Sequence, residues 1–298
     1  MRRLGNDHGH AIGHFERVRL MEFHSILTVE NRLKDEILIQ AQIGHEEYKM
    51  LSSLPFQVCV LEIKRRKHER EDVLEGPNKS MGIQLSLIVR TAFEQHAFRT
   101  LTTFKNNCLV ILLFHSPTEK KQEAQLLMKD KLPIVFKNID KMMNGEEVAK
   151  CQLFLGIGTV YEGFHNVSLS YEEAAKALFL KPFYQSPTIF YEDLGAFQIL
   201  LNLHEKSMLE SYVHSHLGIL IEEDCKKKSD LLKTLKVYLE SNGSKKSIAD
   251  ELHIVRQSLY YRLEKIKELL GEDYMSKQKR LALQLAIQAY ELLNHQAS

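Results

Sequence analysis

The chain has 298 residues, of which 44% are hydrophobic and 27% charged, and its 40 Lys and Arg side chains nearly balance 39 Asp and Glu side chains. Such a length and composition predict a folded protein of two domains and exclude disorder over the whole chain. No apolar run approaches ~18 residues, so no membrane-spanning segment is predicted. The total charge of +1 argues against a nucleic-acid partner unless the basic residues are concentrated in one part of the chain.

The beginning of the chain and the cysteines give general expectations. Residues 1–54 are predicted to be a polar tail followed by a linker or dimerising helix that ends at Gly44. No signal peptide is evident. The four cysteines form no CxxC pair, and three of them stand in or beside apolar segments. Buried, reduced thiols are therefore expected, as in a cytoplasmic protein.

Residues 55–191 alternate short apolar segments with segments of helical periodicity. The predicted strands are residues 56–63, 99–105, 108–114, 152–158 and 188–191. The first is a short, mainly apolar run with β-branched members, as in a strand covered on both faces. Asn106 and Asn107 separate the second strand from the third, and asparagine tolerates the backbone of a tight hairpin turn.

Three helices are predicted between these strands. They cover residues 81–92, residues 119–143 and a segment that begins at Ser170. Pro133 marks a kink or break in the second helix. Ser170 and Glu173 have the spacing of a capping box at the start of the third. The order βαββαβαβ predicts an α/β (α+β) domain with its helices on one face of a mainly antiparallel sheet.

The rest of the chain is predicted to be helical. Residues 192–229 form a helical connector, and residues 230–298 form an all-α helix-turn-helix domain. Asp230 or Ser229 caps its first helix. Two helices then flank a tight turn at residues 253–255, and the small Ala249 lets them cross closely. A final apolar helix from Leu281 completes the core of this domain or forms a dimer interface.

The second helix of the pair, which starts near Arg256, exposes the residue types that contact DNA. Arginine and glutamine form paired hydrogen bonds with guanine and adenine, and serine or tyrosine bonds either bases or phosphate. Lysine contacts phosphates, which fixes the register without reading the sequence. The predicted DNA-binding residues are Lys245, Lys246, Ser247, Arg256, Gln257, Ser258, Tyr260, Tyr261, Arg262 and Lys265. An ordinary helical bundle with a polar outer surface is the alternative interpretation.

The charges support DNA binding once they are divided by domain. Residues 225–298 hold fourteen Lys and Arg but nine Asp and Glu, a net charge of +5, which leaves −4 for the preceding residues. The basic charge is thus concentrated where the helix-turn-helix is predicted.

The motif IADELHIVRQSLYYRLEKIKELLG resembles the C-terminal helix-turn-helix of the PucR/CdaR-type bacterial transcription regulators. The residues that match that family's signature are Ala249, Leu252, Arg256, Leu259, Tyr261, Arg262 and Leu263. Val255 and Ile248 depart from it, since the family has His and Thr there. The upstream segment GIGTVYEGFHNVSLSYEEAAKAL is similar to the same family's central domain.

The resemblance implies a GGDEF-like palm with an antiparallel-rich sheet, resembling a degenerate diguanylate cyclase. An active cyclase needs a Gly-Gly-(Asp/Glu)-Glu-Phe turn and paired acids for Mg²⁺, whereas this hairpin has the sequence TFKNNCL. Glu62 is present near the end of the first strand, but Lys64 stands where a second acid is expected. Without paired carboxylates there is no two-metal clamp for phosphoryl transfer. We therefore expect no catalytic residue, no metal site, no cofactor and no enzymatic activity.

Three hypotheses follow from these observations. The favoured one is a dimeric, DNA-binding regulator of a bacterial catabolic operon, for which the resemblance implies purines or sugar diacids. It also implies a small-molecule effector that acts through an N-terminal sensory domain lacking from this chain. The alternatives are a nucleotide cyclase or phosphodiesterase that uses the central domain, and a signalling or dimerisation protein that does not bind DNA. No membrane partner is expected.

Overall fold

The computed structural model describes residues 44–65, 79–105, 108–117, 121–142, 151–203, 206–241 and 245–297. They fall into two units, one ending at Leu194 and one beginning at Gly195. Among the described residues, none of the helices combines the length and apolar character needed to cross a bilayer. The predicted tail, the Asn106-Asn107 turn and the predicted helix before Gly44 lie outside the described residues.

The unit that ends at Leu194 contains a five-stranded sheet. Its elements are α1 (His45–Ser52), β1 (Phe56–Arg65), α2 (Lys79–Glu94), β2 (Arg99–Lys105), β3 (Cys108–Phe114), α3 (Lys121–Met142), β4 (Cys151–Ile157), α4 (Val167–Phe179) and β5 (Thr188–Phe190). The strands lie in the order β2-β3-β1-β4-β5, with β5 parallel to β4 and every other pair antiparallel. The predicted fold class is confirmed, including the βαββαβαβ order after α1.

Helices cover both faces of this sheet, so the prediction of helices on one face was wrong. Cys59 and Leu61 of β1 pack into a core formed with α2 and α3. Phe56, Val58 and Val60 point the other way, into a second core that includes residues of α1 and α4. Successive side chains of a strand alternate between faces, so a central strand covered on both sides is apolar at most of its positions, as β1 is.

Helix α1 belongs to this second core and was not predicted. Leu51 is fully buried, and the Tyr48 ring lies edge-on to Phe164 with 5.5 Å between centroids. Gly44 directly precedes α1 as its N-cap residue, and the helix that was predicted to end at Gly44 lies outside the described residues.

Ser170 and Glu173 do not form a capping box, because α4 begins three residues earlier, at Val167. Both side chains instead bind the loop that follows β4. The Ser170 hydroxyl donates to the Thr159 carbonyl oxygen (2.9 Å) and accepts from the Val58 amide of β1 (2.9 Å). The Glu173 carboxylate accepts from the Thr159 amide (2.9 Å). These bonds fix α4 to the centre of the sheet.

A glycine makes this close packing of α4 on β4 possible. A Cβ atom on Gly156 would lie 2.1 Å from the Ala174 carbonyl oxygen, a distance that no side chain tolerates. On the other face, α3 runs from Lys121 to Met142 with Pro133 inside it, so of the predicted kink or break the break is absent. Pro133 lies on the exposed side of α3, where helix curvature is best accommodated.

The unit that begins at Gly195 is helical. Its elements are α5 (Phe197–Asn202), α6 (Lys206–Lys227), α7 (Leu231–Glu240), α8 (Lys245–Glu251), α9 (Arg256–Leu270) and α10 (Lys277–Ala297). The final helix, α10, packs against α6 and α7, and Ala286 and Leu292 on that side are buried. The apolar surface of α10 therefore contributes to the core of this unit.

The N-terminus of α7 is capped by the side chain of Asp224 and not by either of the two residues that were predicted to cap it. Asp230 precedes the helix in a left-handed conformation (φ 54°), and its side chain forms no capping hydrogen bond. The Asp224 carboxylate at the end of α6 instead accepts from the amides of Leu231 (2.7 Å) and Leu232 (2.9 Å). The Ser229 hydroxyl also donates to Asp224 (2.7 Å). The prediction of Asp230 or Ser229 as the cap was wrong, and the actual cap ties α7 to α6.

Candidate nucleic-acid interface

Helices α8 and α9 form the helix-turn-helix, with the turn at residues 252–255. Ile248 and Ala249 of α8 and Leu259 of α9 are buried, which holds the two helices together. The Ile254 amide donates to the Ala249 carbonyl oxygen (3.0 Å), and His253 between them has a left-handed φ of 55°. This is the geometry of a Schellman helix end, at a position that glycine usually occupies.

Four predicted contact residues lie together on the exposed side of α9. Arg256 and Gln257 begin the helix, and Tyr260 and Tyr261 follow one turn later. All four are exposed, with Tyr260 at 51% and Tyr261 at 73%. Because residues i and i+4 neighbour each other on a helix, the four form one continuous patch, which we call the α9 patch.

The start of α8 lies beside the α9 patch. The Lys245 ammonium group is 4.5 Å from the centroid of the Tyr260 ring, a cation–π contact between the two helices. Lys246 and Ser247 follow in the same turn, and both are exposed. Lys245 therefore adjoins the aromatic side chains of the α9 patch, and the exposed Lys246 is next to it in sequence.

The first turn of α9 also presents its backbone amides. Its N-cap residue is Val255, which has no side-chain acceptor, and 67% of Val255 is exposed. The first amides of a helix lack partners within the helix, and together with the helix dipole they attract anions such as phosphate. Ser258, which is half-buried in this turn, stands at the edge of the patch.

Arg262 and Lys265 do not lie on the α9 patch. The Arg262 guanidinium turns back towards α7, donates to the Thr234 hydroxyl (3.2 Å) and is 3.4 Å from the Asp230 carboxylate. Lys265 lies farther along α9 and donates to the Glu268 carboxylate (2.8 Å). That hydrogen bond raises the pKa of Lys265, so its charge is kept in an internal ion pair.

One residue on the exposed side of α9 was missed in the sequence. Glu264 is four residues after Tyr260 and seven after Gln257, so helical spacing puts it on the same side as the patch. Its side chain is 67% exposed. The i+4 and i+7 spacing could have identified Glu264, which bounds the patch with a negative charge. Within the described part of the chain, His, Cys, Asp and Glu side chains form no group of three that could hold a metal ion.

Comparison with known families matches both units. Residues 231–289 match the PucR C-terminal helix-turn-helix domain, and residues 46–180 match the GGDEF-like domain. The chain thus combines a GGDEF-like domain with a PucR C-terminal helix-turn-helix domain. The helix-turn-helix match includes α8, α9 and every residue of the α9 patch.

Curated relatives from Bacillus subtilis agree with this assignment. The proline-responsive transcriptional activator PutR is 29% identical over 45% of this chain and 33% of its own length. The purine catabolism regulatory protein is 31% identical over 47% of this chain and 26% of its own length. The DNA-binding transcriptional activator AdeR is 24% identical over 93% of this chain and 72% of its own length. The chain thus spans a third or less of the first two relatives.

Among solved structures, the chain is similar to the regulator of polyketide synthase expression from Bifidobacterium adolescentis. The sequence identity is 16% and the TM-score is 0.33, over 90% of this chain and 99% of that one. Both values are too low to define a common arrangement.

Proposed function

We propose that this protein is a DNA-binding transcription regulator that places α9 in the major groove. The α9 patch carries the proposal: Arg256, Gln257, Tyr260 and Tyr261 are exposed side by side at the start of a helix-turn-helix second helix. The second helix of this motif enters the groove with its N-terminal residues towards the bases. The net charge of +5 over residues 225–298 supports the same surface.

The proposed contacts divide into two groups. Arg256 and Gln257 contact base edges, where their paired hydrogen-bonding groups distinguish guanine and adenine. Lys245, Lys246 and the first-turn amides of α9 bind phosphates and fix the position of the protein along the duplex. Tyr260 and Tyr261 contact the groove wall or bases, while Ser247 and Ser258 contact the backbone at the margins of the patch.

We further propose that the sheet-containing unit is not a cyclase. Its one acid near the end of β1, Glu62, forms an ion pair with Lys181 and by strand alternation lies on the α4 side of the sheet. The Lys181 ammonium group is also 5.4 Å from the Phe154 ring centroid, which holds the pair in place. A carboxylate neutralised in this way, with Lys64 two residues later, does not make a Mg²⁺ clamp.

The biological setting of the regulator is also a proposal. The names of PutR and of the purine catabolism regulatory protein support control of a catabolic operon, for purines or a comparable nutrient such as a sugar diacid. A homodimer would place two α9 helices on paired half-sites about one helical turn apart. We expect the protein to act in the cytoplasm and to respond to a small-molecule effector.

Fluorescence anisotropy with labelled DNA from the region upstream of the protein's own gene tests the proposal. The protein should bind it more tightly than an unrelated duplex, and the affinity should fall as the salt concentration rises. Arg256→Ala should reduce the preference for the upstream DNA by about 1–3 kcal/mol, whereas Lys246→Ala should weaken both DNAs alike.

Lys233→Ala is the matched control, because Lys233 is an exposed lysine of α7 in the same unit. It should bind as the wild type does. The proposal would be refuted if the wild type bound every promoter fragment of its genome no more tightly than an unrelated duplex.

A further inference from the structure

Arg262 is well placed to control the orientation of α9. Successive helix residues are rotated by about 100°, so Arg262 lies roughly 170° around the helix from the middle of the α9 patch. Its side chain is 20% exposed. Its two terminal nitrogens bind two different residues of the α7 start, Thr234 at 3.2 Å and Asp230 at 3.4 Å. Because the planar guanidinium is held at two points, it fixes the orientation of α9 relative to α7 as well as the distance between them.

The acceptors of Arg262 are themselves held in place. Thr234 is fully buried, and its hydroxyl donates to the Asp230 carbonyl oxygen (2.7 Å) while it accepts from Arg262. The next residues, Leu231 and Leu232, are bound through their amides by Asp224 of α6. A chain of hydrogen bonds therefore leads from α6 through the first turn of α7 to the middle of α9.

We propose that Arg262 is a positioning residue that sets the rotation of α9 about its own axis and does not itself contact DNA. This inference rests on the proposed function, because it concerns how the same helix meets the groove. A rotation of α9 by about 20° would move side-chain atoms at the helix surface by about 2 Å. Hydrogen bonds to bases tolerate only a few tenths of an ångström, so such a rotation would separate Arg256 and Gln257 from their partners.

The two roles of Arg262 predict different responses to salt. A residue that neutralises a phosphate contributes about one unit to the slope of log affinity against log salt concentration, and its removal lowers the slope. A positioning residue contributes nothing to that slope from its own charge. Its removal lowers the affinity for specific DNA and leaves unspecific binding close to its original value, because unspecific binding depends on charge and not on orientation.

The experiment measures the affinity of the full chain for upstream and unrelated DNA across salt concentrations. Arg262→Gln should lower specific affinity at least tenfold with an unchanged salt slope, whereas Lys246→Ala should lower the slope by about one unit. Thr234→Val removes the buried acceptor at nearly constant volume and should reproduce most of the loss, although Thr234 cannot reach DNA. Arg262→Gln in the Thr234→Val background should then add less than threefold.

Hydrogen exchange of the amides of α9 provides a second measurement, independent of DNA. Exchange should be faster in Arg262→Gln and Thr234→Val and unchanged in Lys233→Ala. A lower salt slope for Arg262→Gln, together with normal DNA binding by Thr234→Val, would overturn the positioning role and leave the regulator proposal intact. A wild-type protein without any DNA preference would instead refute the proposed function.

Discussion

Asp224→Ala tests whether the helix-turn-helix depends on a cap supplied by α6. The carboxylate accepts hydrogen bonds from two amides of α7, at 2.7 and 2.9 Å, and from the Ser229 hydroxyl at 2.7 Å. Loss of a helix cap costs about 1 kcal/mol, and a hydrogen bond to a charged group contributes about 1.5–3 kcal/mol. Because water replaces part of these bonds at a half-buried position, we expect a loss of about 2 kcal/mol in the free energy of unfolding of the helical unit.

A thermal unfolding curve measures this loss, and hydrogen exchange of peptides from α7 shows whether the loss lies in that helix. For a unit of this size, about 2 kcal/mol lowers the unfolding midpoint by roughly 10 °C. Asp224→Asn keeps an acceptor without the charge and should lose about half as much. Glu222→Ala is the matched control, because this substitution removes the same charge from α6. The Glu222 side chain is exposed and forms a surface ion pair with Lys226 (3.5 Å), which contributes little to stability. An unchanged midpoint in Asp224→Ala would refute the cap and the link between α6 and α7.

Four further predictions address other contacts. Gly156→Ala should unfold the sheet-containing unit, because the new Cβ would lie 2.1 Å from a backbone oxygen, whereas Gly44→Ala, which meets nothing within 4 Å, should be harmless; circular dichroism melting distinguishes them. Leu259→Ala removes a fully buried side chain and should cost about 2–5 kcal/mol in urea unfolding and abolish specific DNA binding. His253→Gly should raise the melting temperature slightly or leave it unchanged, because the left-handed conformation costs a non-glycine residue about 1 kcal/mol. Burial lowers the pKa of His115 from 6.5 to about 4, so the unfolded state alone takes up this proton between those values; the stability should fall by up to about 3 kcal/mol as the pH drops through that interval, and urea titrations of His115→Phe should lack this contribution.

The strands and the helix-turn-helix could be predicted because their signals are local. A mainly apolar run identified β1, and the spacing of Leu259 and Leu263 identified the buried side of α9. The predicted helix start near Arg256 likewise put Arg256, Gln257 and both tyrosines in the first turns of α9. These patterns depend only on helical or extended geometry, so tertiary packing preserved them.

The features that were mispredicted depend on residues far apart in sequence. Ser170 and Glu173 have the spacing of a capping box, but their partners lie on β1 and the loop after β4. Asp224 caps a helix that begins seven residues later, across a turn. Arg262 belongs to a basic motif, yet its direction is determined by Thr234 of another helix. The spacing of a motif shows which residue types recur, but the hydrogen-bond partner of each side chain depends on the tertiary structure.

Selection of bound duplexes from a random pool tests the central claim most directly, because it measures whether α9 distinguishes one sequence from another. The wild-type chain should enrich a defined motif, and Arg256→Ala should lose information at one or two base pairs of that motif while Lys233→Ala retains it. If the chain forms the proposed homodimer, the motif should occur as two half-sites about one helical turn apart. If no motif were more frequent after selection than in the starting pool, the assignment of α9 as the recognition helix would be contradicted.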